Sequence, residues 1–177
     1  MIEICDNLQF YCITAEFYSK PMDRIDRNIL AFLQEDASIS NNDLADRVGL
    51  APSSCLRRVR QLKADGIITR TIALTDAKKM GRALKAIITV RLADHGKAAR
   101  RDWLGDLEQE DAVSQVYSVS GETDVVVVLN LADMDEFQRL SERLFSDNKN
   151  VTQFTTLFCL EQHKFELALK PSIQSAD

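Results

Sequence analysis

A chain of 177 residues, 45% hydrophobic and 28% charged, can bury one medium core or two small ones. Its formal charge of −5 argues against a non-specific binder of polyanions, and no apolar run is long enough to span a bilayer. The N-terminus lacks the basic-then-apolar order of a secretory signal, so a cytoplasmic protein with no membrane partner is expected.

The first 21 residues, MIEICDNLQFYCITAEFYSKP, carry β-prone and aromatic residues without a clear period. Beyond them Asp23 can cap a helix whose apolar positions Ile25, Ile29, Phe32 and Leu33 follow helical spacing. Residues 40 to 70, SNNDLADRVGLAPSSCLRRVRQLKADGIITR, then read as two short helices around a tight turn followed by a strand. Ser40 with Asp43 is a capping-box-like start, Leu44, Ala45 and Val48 supply an inward stripe, and Gly49 provides a left-handed stop. Pro52 suits the first turn of a new helix, which Gly66 ends. Two helices meeting across Gly49, Leu50 and Ala51 make a helix-turn-helix.

At 100° per residue, Cys55, Leu56, Val59 and Leu62 of the second helix cluster on one side and are expected to pack inward. The other side carries Ser53, Ser54, Arg57 and Gln61, flanked by Arg58 and Arg60. Such a face can enter a major groove, where Arg reads guanine, Gln reads adenine and hydroxyls reach phosphate. A solvated surface helix has the same composition; what favours DNA is the strand expected at residues 67 to 73, which brings Arg70 beside the helix as a wing does. Charge agrees. Residues 22 to 82 hold eleven Lys/Arg against eight Asp/Glu, whereas residues 83 to 177 hold ten against sixteen.

Residues 75 to 83 (TDAKKMGRA) read as a linker. A second domain follows: a strand at 84 to 92, a helix at 96 to 110 with Trp103, Leu104 and Leu107 inward, and strands at 113 to 119 and 124 to 131. A helix capped by Asp133 carries Phe137, Leu140 and Leu144, and a strand at 151 to 160 closes the set. The order βαββαβ is the ferredoxin-like arrangement, so the fold class is α+β: an N-terminal winged helix-turn-helix plus a C-terminal βαββαβ domain. Both helices of such a unit lie on one face of the sheet. AIITV (86 to 90) and VVVVL (125 to 129) are nevertheless apolar at both parities, which predicts that self-association covers the other face.

Cys5, Cys12, Cys55 and Cys159 are widely spaced without a C-x-x-C pair, and Cys55 and Cys159 fall in apolar patterns, so buried reduced thiols are expected rather than disulfides or a zinc site. His95 and His163 have no partner motif; no metal, cofactor or enzymatic site is implied. The turn at Ser120, Gly121 and Glu122, followed by Thr123 and Asp124, offers backbone N–H groups and acids that suit a zwitterionic amino acid. The same residues make an ordinary hairpin turn, and by themselves they leave both readings open.

Residues 22 to about 165 resemble the Lrp/AsnC, or feast/famine, transcriptional regulators. MDRIDRNILAFLQEDASIS (22 to 40) is similar to that family's opening helix, LADRVGLAPSSCLRRVRQLKADGII (44 to 68) to its helix-turn-helix, and VSGETDVVV (119 to 127) to its Gly-Asp-x-Asp effector loop. The resemblance implies a regulator that binds double-stranded DNA as a homodimer or higher even oligomer, up to an octamer. It also implies an amino-acid effector held by Ser120, Gly121, Glu122, Thr123 and Asp124. Three residues depart from the pattern: Ala51 replaces the usual capping Ser or Thr, Glu122 the commoner Asp, and Thr123 the commoner aromatic residue. The expected organisation is an extension (1 to 21), the DNA-binding domain (22 to 74), the linker (75 to 83), the effector-binding and oligomerisation domain (84 to 165) and a tail (166 to 177). Because Met22 opens what resembles a complete family N-terminus, it is expected to be a translation start, with residues 1 to 21 a mis-start or a poorly ordered extension. A ligand-sensing oligomeric module of amino-acid metabolism that reads no DNA is the alternative, and it leaves residues 40 to 70 without a role.

Overall fold

A computed structural model describes residues 22 to 93 and 97 to 169; the expected extension, Cys5, Cys12 and His95 lie outside the described residues. The described residues divide into two compact units, one of residues 22 to 72 with 166 to 169 and one within residues 73 to 165.

In the first unit three helices follow the local punctuation of the sequence: α1 (Arg24–Glu35), α2 (Asn41–Val48) and α3 (Pro52–Ala64). Asp23 caps α1 by accepting the Asp26 N–H at 2.8 Å, and Ser40 caps α2 by accepting the Asp43 N–H at 3.2 Å while donating to the Asp43 carboxylate at 2.7 Å. Gly49 ends α2 at φ 70°, and the Leu50 N–H that follows returns to the Ala45 carbonyl at 2.9 Å. A Cβ there would meet nothing, so the glycine answers to backbone conformation rather than to space. Asn41 Nδ2 donates to the Pro52 carbonyl at 2.9 Å and so ties the start of α2 to the start of α3. Ile29, Leu30, Leu44, Ala45, Cys55 and Leu62 form the core.

The wing strand expected at residues 67 to 73 is not formed. Ile67 and Ile68 both donate to the Leu62 carbonyl, at 3.0 and 3.1 Å, after Gly66 turns the chain at φ 71°. They finish α3 instead of opening a ladder. A strand needs a partner edge, and the four strands of the described residues all belong to the other unit.

The second unit contains β1 (Leu84–Leu92), α4 (Lys97–Glu108), β2 (Val113–Ser118), β3 (Val125–Leu131), α5 (Met134–Ser141) and β4 (Val151–Phe158). A π turn, Glu142–Ser146, continues α5. The sheet order is β2-β3-β1-β4 with every neighbour antiparallel. Register separates the two parities that the apolar strands left ambiguous. Ala86, Ile88, Val90, Leu92, Val125, Val127, Leu129 and Leu131 are buried with Trp103 and Leu107 of α4 and Leu140, Leu144 and Phe145 beyond them. Ile87, Val126 and Val128 fall on the opposite, helix-free face and stay half-buried. Ile87 pairs with Val128 and Leu157, and Val126 pairs with Tyr117; Leu157 and Tyr117 are 53% and 50% exposed, so this face carries a continuous apolar patch.

Polar groups lock the covered side. The Trp103 indole Nε1 donates to the Leu144 carbonyl at 2.8 Å, and its ring meets Phe145 edge-on. Asp133 caps α5 through the Glu136 N–H, and Glu136 in turn accepts from the Ala132 N–H at 2.6 Å and from Arg82 Nη1 at 2.8 Å.

Candidate functional site

The packing of α3 sorts its side chains differently from a projection at 100° per residue. Cys55 and Leu62 are buried and Val59 packs against them, as expected, and burial in apolar surroundings pushes the Cys55 thiol up. Leu56, expected inward, is 37% exposed and outside the core. Arg58, expected beside the groove-reading face, turns inward: Nη1 donates to Asp23 Oδ2 and to Asp26 Oδ1, both at 2.7 Å. The Asp26 and Asp23 carboxylates raise the Arg58 pKa further, while the Asp26 N–H first and Arg58 second hold the Asp23 carboxyl below the usual carboxylate range. Arg58 therefore clamps α3 to the start of α1. Its Asp partners lie 32 and 35 residues earlier in the chain, which is why local spacing did not reveal it.

Ser53, Arg57 and Arg60 remain as an exposed face, and neither arginine makes an ion pair among the described residues. Ser54 is half-buried, and its N–H returns to the Ala51 carbonyl at 3.0 Å. Gln61 is exposed but spends Nε2 on Asp65 Oδ1 at 2.7 Å, one turn on. Arg70 is exposed on the segment that follows α3. Ala51 provides no side-chain cap and Pro52 has no N–H, and with the Ser54 and Cys55 N–H groups bonded to the Ala51 carbonyl, the Ser53 N–H is the donor left over at the start of α3.

The second cluster lies in the βαββαβ unit, where the loop between β2 and β3 meets the helix-free face. Gly121 turns this loop at φ 121° with no atom within 4 Å of a would-be Cβ. Asp124 pins the loop to β1: its N–H donates to the Val90 carbonyl and its Oδ2 accepts from the Leu92 N–H, both at 2.9 Å. Glu122 and Thr123 then line a recess of about 320 Å³ together with Thr89, Arg91, Gln153 and Thr155. Of the five loop residues expected at an effector site, these two border the recess; Ser120 and Gly121 shape the turn, and Asp124 is engaged with β1.

Thr89, Arg91, Gln153 and Thr155 are the recess residues that sequence reasoning missed, and Arg91 is the charged one among them. Its Nε donates to the Glu122 carbonyl, and Nη2 lies 4.0 Å from the Glu122 carboxylate, which is 98% exposed. The signal available was the parity of β1 that carries Lys85, Thr89 and Arg91 opposite the uniformly apolar Ala86, Ile88, Val90 and Leu92. A register shift next to it, where Arg91 pairs with Gln153 but Leu92 with Val151, bends β4 at the rim of the recess. Cys159 is free and half-buried, and His163 is exposed beside Glu161 at 3.9 Å; neither approaches the recess lining.

Two family models account for most of the described chain: a winged helix-turn-helix DNA-binding domain over residues 22–69 and an Lrp/AsnC ligand binding domain over residues 85–169. Among curated proteins, the glutamate uptake regulatory protein of Zymomonas mobilis is 30% identical over 150 residues, covering 85% of this chain and 91% of that protein. The leucine-responsive regulatory protein of Salmonella typhimurium is 30% identical over 145 residues, covering 82% and 88%. Among solved structures, a transcriptional regulator from Neisseria meningitidis in complex with L-Met superposes with a TM-score of 0.79 at 30% identity, covering 84% of this chain and 96% of that one. With a helix-turn-helix at one end, a four-stranded ligand-binding sheet at the other and relatives aligned along nearly their whole length, this chain belongs to the Lrp/AsnC family of DNA-binding transcriptional regulators.

Proposed function

We propose that the protein binds pseudo-palindromic duplex sites as a homodimer or higher even oligomer, and that an amino acid held beside the β2–β3 loop modulates this binding. In this reading residues 22 to 74 meet DNA, residues 75 to 83 link, and residues 84 to 165 sense and assemble. Arg57 reads a base edge from the centre of the outward face of α3. Arg60, Ser53 and the uncapped start of α3 contact phosphate, and Arg70 adds a contact beyond the helix.

The observation that carries the sensing half is the pairing of Arg91 with Glu122 across one recess. An amino-acid zwitterion needs a cation or N–H groups for its carboxylate and an acid for its ammonium, and here both charges face a single space. The recess opens on the same helix-free face as the patch of Ile87, Val126, Val128, Tyr117 and Leu157. A ligand there touches the surface on which a second copy packs, which gives it a means of favouring one assembly over another. The relatives are named for glutamate uptake and for leucine response, and one is solved with L-Met, so an amino acid is the ligand class these names share.

The test is fluorescence anisotropy on duplex selected from a random pool, at several salt concentrations, with and without each of the twenty amino acids. Saturable, sequence-dependent binding that shifts with one or a few of them is the expected result. Indifference to all twenty removes the sensing half of the proposal, and equal affinity for every duplex removes the reading half.

A further inference from the structure

The described chain passes between its two units twice, once between Ile72 and Ala73 and again beyond β4, between Phe165 and Glu166. We propose that Gln34 turns the second passage into a strap that couples the sheet to the DNA-binding half, holding the backbone of Leu169 as a neighbouring strand would. The proposal deepens, and rests on, the reading of the first unit as the part that meets DNA.

Beyond β4 the chain reads LEQHKFELAL (160 to 169), in which Phe165, Leu167 and Leu169 alternate with Lys164, Glu166 and Ala168. That is the period of a strand, yet the segment joins no ladder among the described residues. At Leu169 a side chain stands in for the missing edge. Gln34, exposed in the last turn of α1, donates from Nε2 to the Leu169 carbonyl at 3.0 Å and accepts the Leu169 N–H on Oε1 at 2.6 Å. Two residues that exchange both bonds are the unit of an antiparallel ladder, and a carboxamide, with its donor and acceptor side by side, reproduces one half of it. The Leu169 side chain is 79% exposed, so what Gln34 recognises is backbone. Ordering an exposed glutamine costs rotamer entropy, which two bonds to one partner offset better than one.

The strap is held at its other end as well. The Cys159 N–H donates to the Lys85 carbonyl at 2.9 Å, prolonging the pairing of β4 with β1. Lys85 Nζ then donates to Gln162 Oε1 at 2.9 Å and lies 5.5 Å from the centre of the Phe165 ring. From Phe165 to Leu169 is four residues, at most about 14 Å of chain; from Ile72 to Arg82, which Glu136 holds at 2.8 Å, is ten, at most about 36 Å. A shorter tether permits fewer placements of what it joins, so the strap has less slack than the linker. A shift at the end of β4 pulls on α1 through Leu169, and a shift of α1 pulls on β4, because coupling is reciprocal.

Hydrogen exchange at the Leu169 and Cys159 amides of the full-length protein, with and without duplex selected from a random pool, tests this. Gln34→Met keeps the length and helical character of the side chain and removes both bonds; Leu169→Pro removes the N–H; Leu169→Ala keeps the backbone pair. Without duplex, the residue-169 amide should exchange about tenfold faster in Gln34→Met and at the parent rate in Leu169→Ala. Saturating duplex should slow exchange at Cys159, in the second unit, by about threefold or more in the parent and in Leu169→Ala. In Gln34→Met and Leu169→Pro that slowing should disappear while the duplex still binds. Parent-like exchange at Leu169 in Gln34→Met overturns the docking of the strap. A Cys159 response that survives in Gln34→Met and Leu169→Pro, or is lost in Leu169→Ala, overturns its role in coupling. A parent whose Cys159 amide ignores bound duplex overturns the inference and leaves DNA reading in place, whereas failure to select any duplex overturns both.

Discussion

The outward face of α3 and the helix-free face of the sheet expose opposite materials. On α3, Ser53, Arg57 and Arg60 surround a single exposed apolar side chain, Leu56; on the sheet, Ile87, Val126, Val128, Tyr117 and Leu157 form a patch without a charge. A charged face is at ease in water and gains energy only when a polyanion releases counterions, so its affinity falls steeply with salt. An apolar face is never at ease in water, and its gain follows the area covered, with little regard to salt. One protein thus carries two surfaces that answer to different solution variables, and salt or substitution can act on either of them alone.

The largest effect is expected from breaking the sheet face. Val128→Lys, or Val126→Lys, should dissociate the oligomer as seen by light scattering. It should also weaken binding to a two-half-site operator by about a hundredfold, because the second half-site is no longer held at high effective concentration. An oligomer that survives both substitutions would refute the association proposed for this face. Next comes the face of α3: Arg57→Ala should cost about 1–3 kcal/mol on the selected operator and much less on random duplex, whereas Arg60→Ala should flatten the salt dependence on both. Equal losses for Arg57→Ala on the two duplexes would make it a phosphate contact.

Arg58→Met sharpens the comparison from inside the same helix. Because Arg58 clamps α1, the variant should lose about 1 kcal/mol of stability, the size of a well-formed but partly exposed ion pair, without changed sequence preference. Asp23 titrates below its ordinary 3.8, so its contribution is complete above that pH and is lost as the pH falls through the lower, folded value. Thermal unfolding at pH 7 and pH 3 should show a smaller acid penalty in Arg58→Met than in the parent. Part of the penalty persists, since the Asp26 N–H still favours the Asp23 carboxylate. Unaltered stability combined with altered base preference would return Arg58 to the DNA. The smallest effect is expected from Ala51→Ser, which supplies the missing cap of α3 and should add about 0.5 kcal/mol, read as a rise in Tm.

What the amino-acid order made legible was what neighbours in sequence decide. Asp23, Ser40, Gly49, Pro52 and Asp133 each act on backbone groups within a few residues, and each marks the helix boundary read from it. The four strands of the second unit were also legible, since their apolar runs ended at polar turns. What stayed hidden depends on register or on distant partners. Val125 to Val128 look alike in sequence, and pairing alone assigns Val125 and Val127 to the core and Val126 and Val128 to the open face. Arg58 faces inward because two aspartates from α1 reach it. Residues 67 to 73 have strand composition but no edge to join among the described residues. The recess needed the pairing of β1 with β4, which places Arg91 beside Gln153 and Thr89 beside Thr155 from segments more than sixty residues apart.

The chain has one tryptophan, and it is Trp103, buried in the βαββαβ unit with its indole bonded to Leu144. Selective excitation of the indole therefore illuminates only the sensing half and leaves the DNA-reading half dark, a division of signal that normally has to be engineered. The fluorophore sits on the helix side of the sheet and the recess on the other, with a single layer of strands between them. A change in its emission during ligand titration would then come from the sheet and its helices shifting, not from direct contact with the ligand. The unmodified protein already contains the optical probe for following how a signal leaves its binding site.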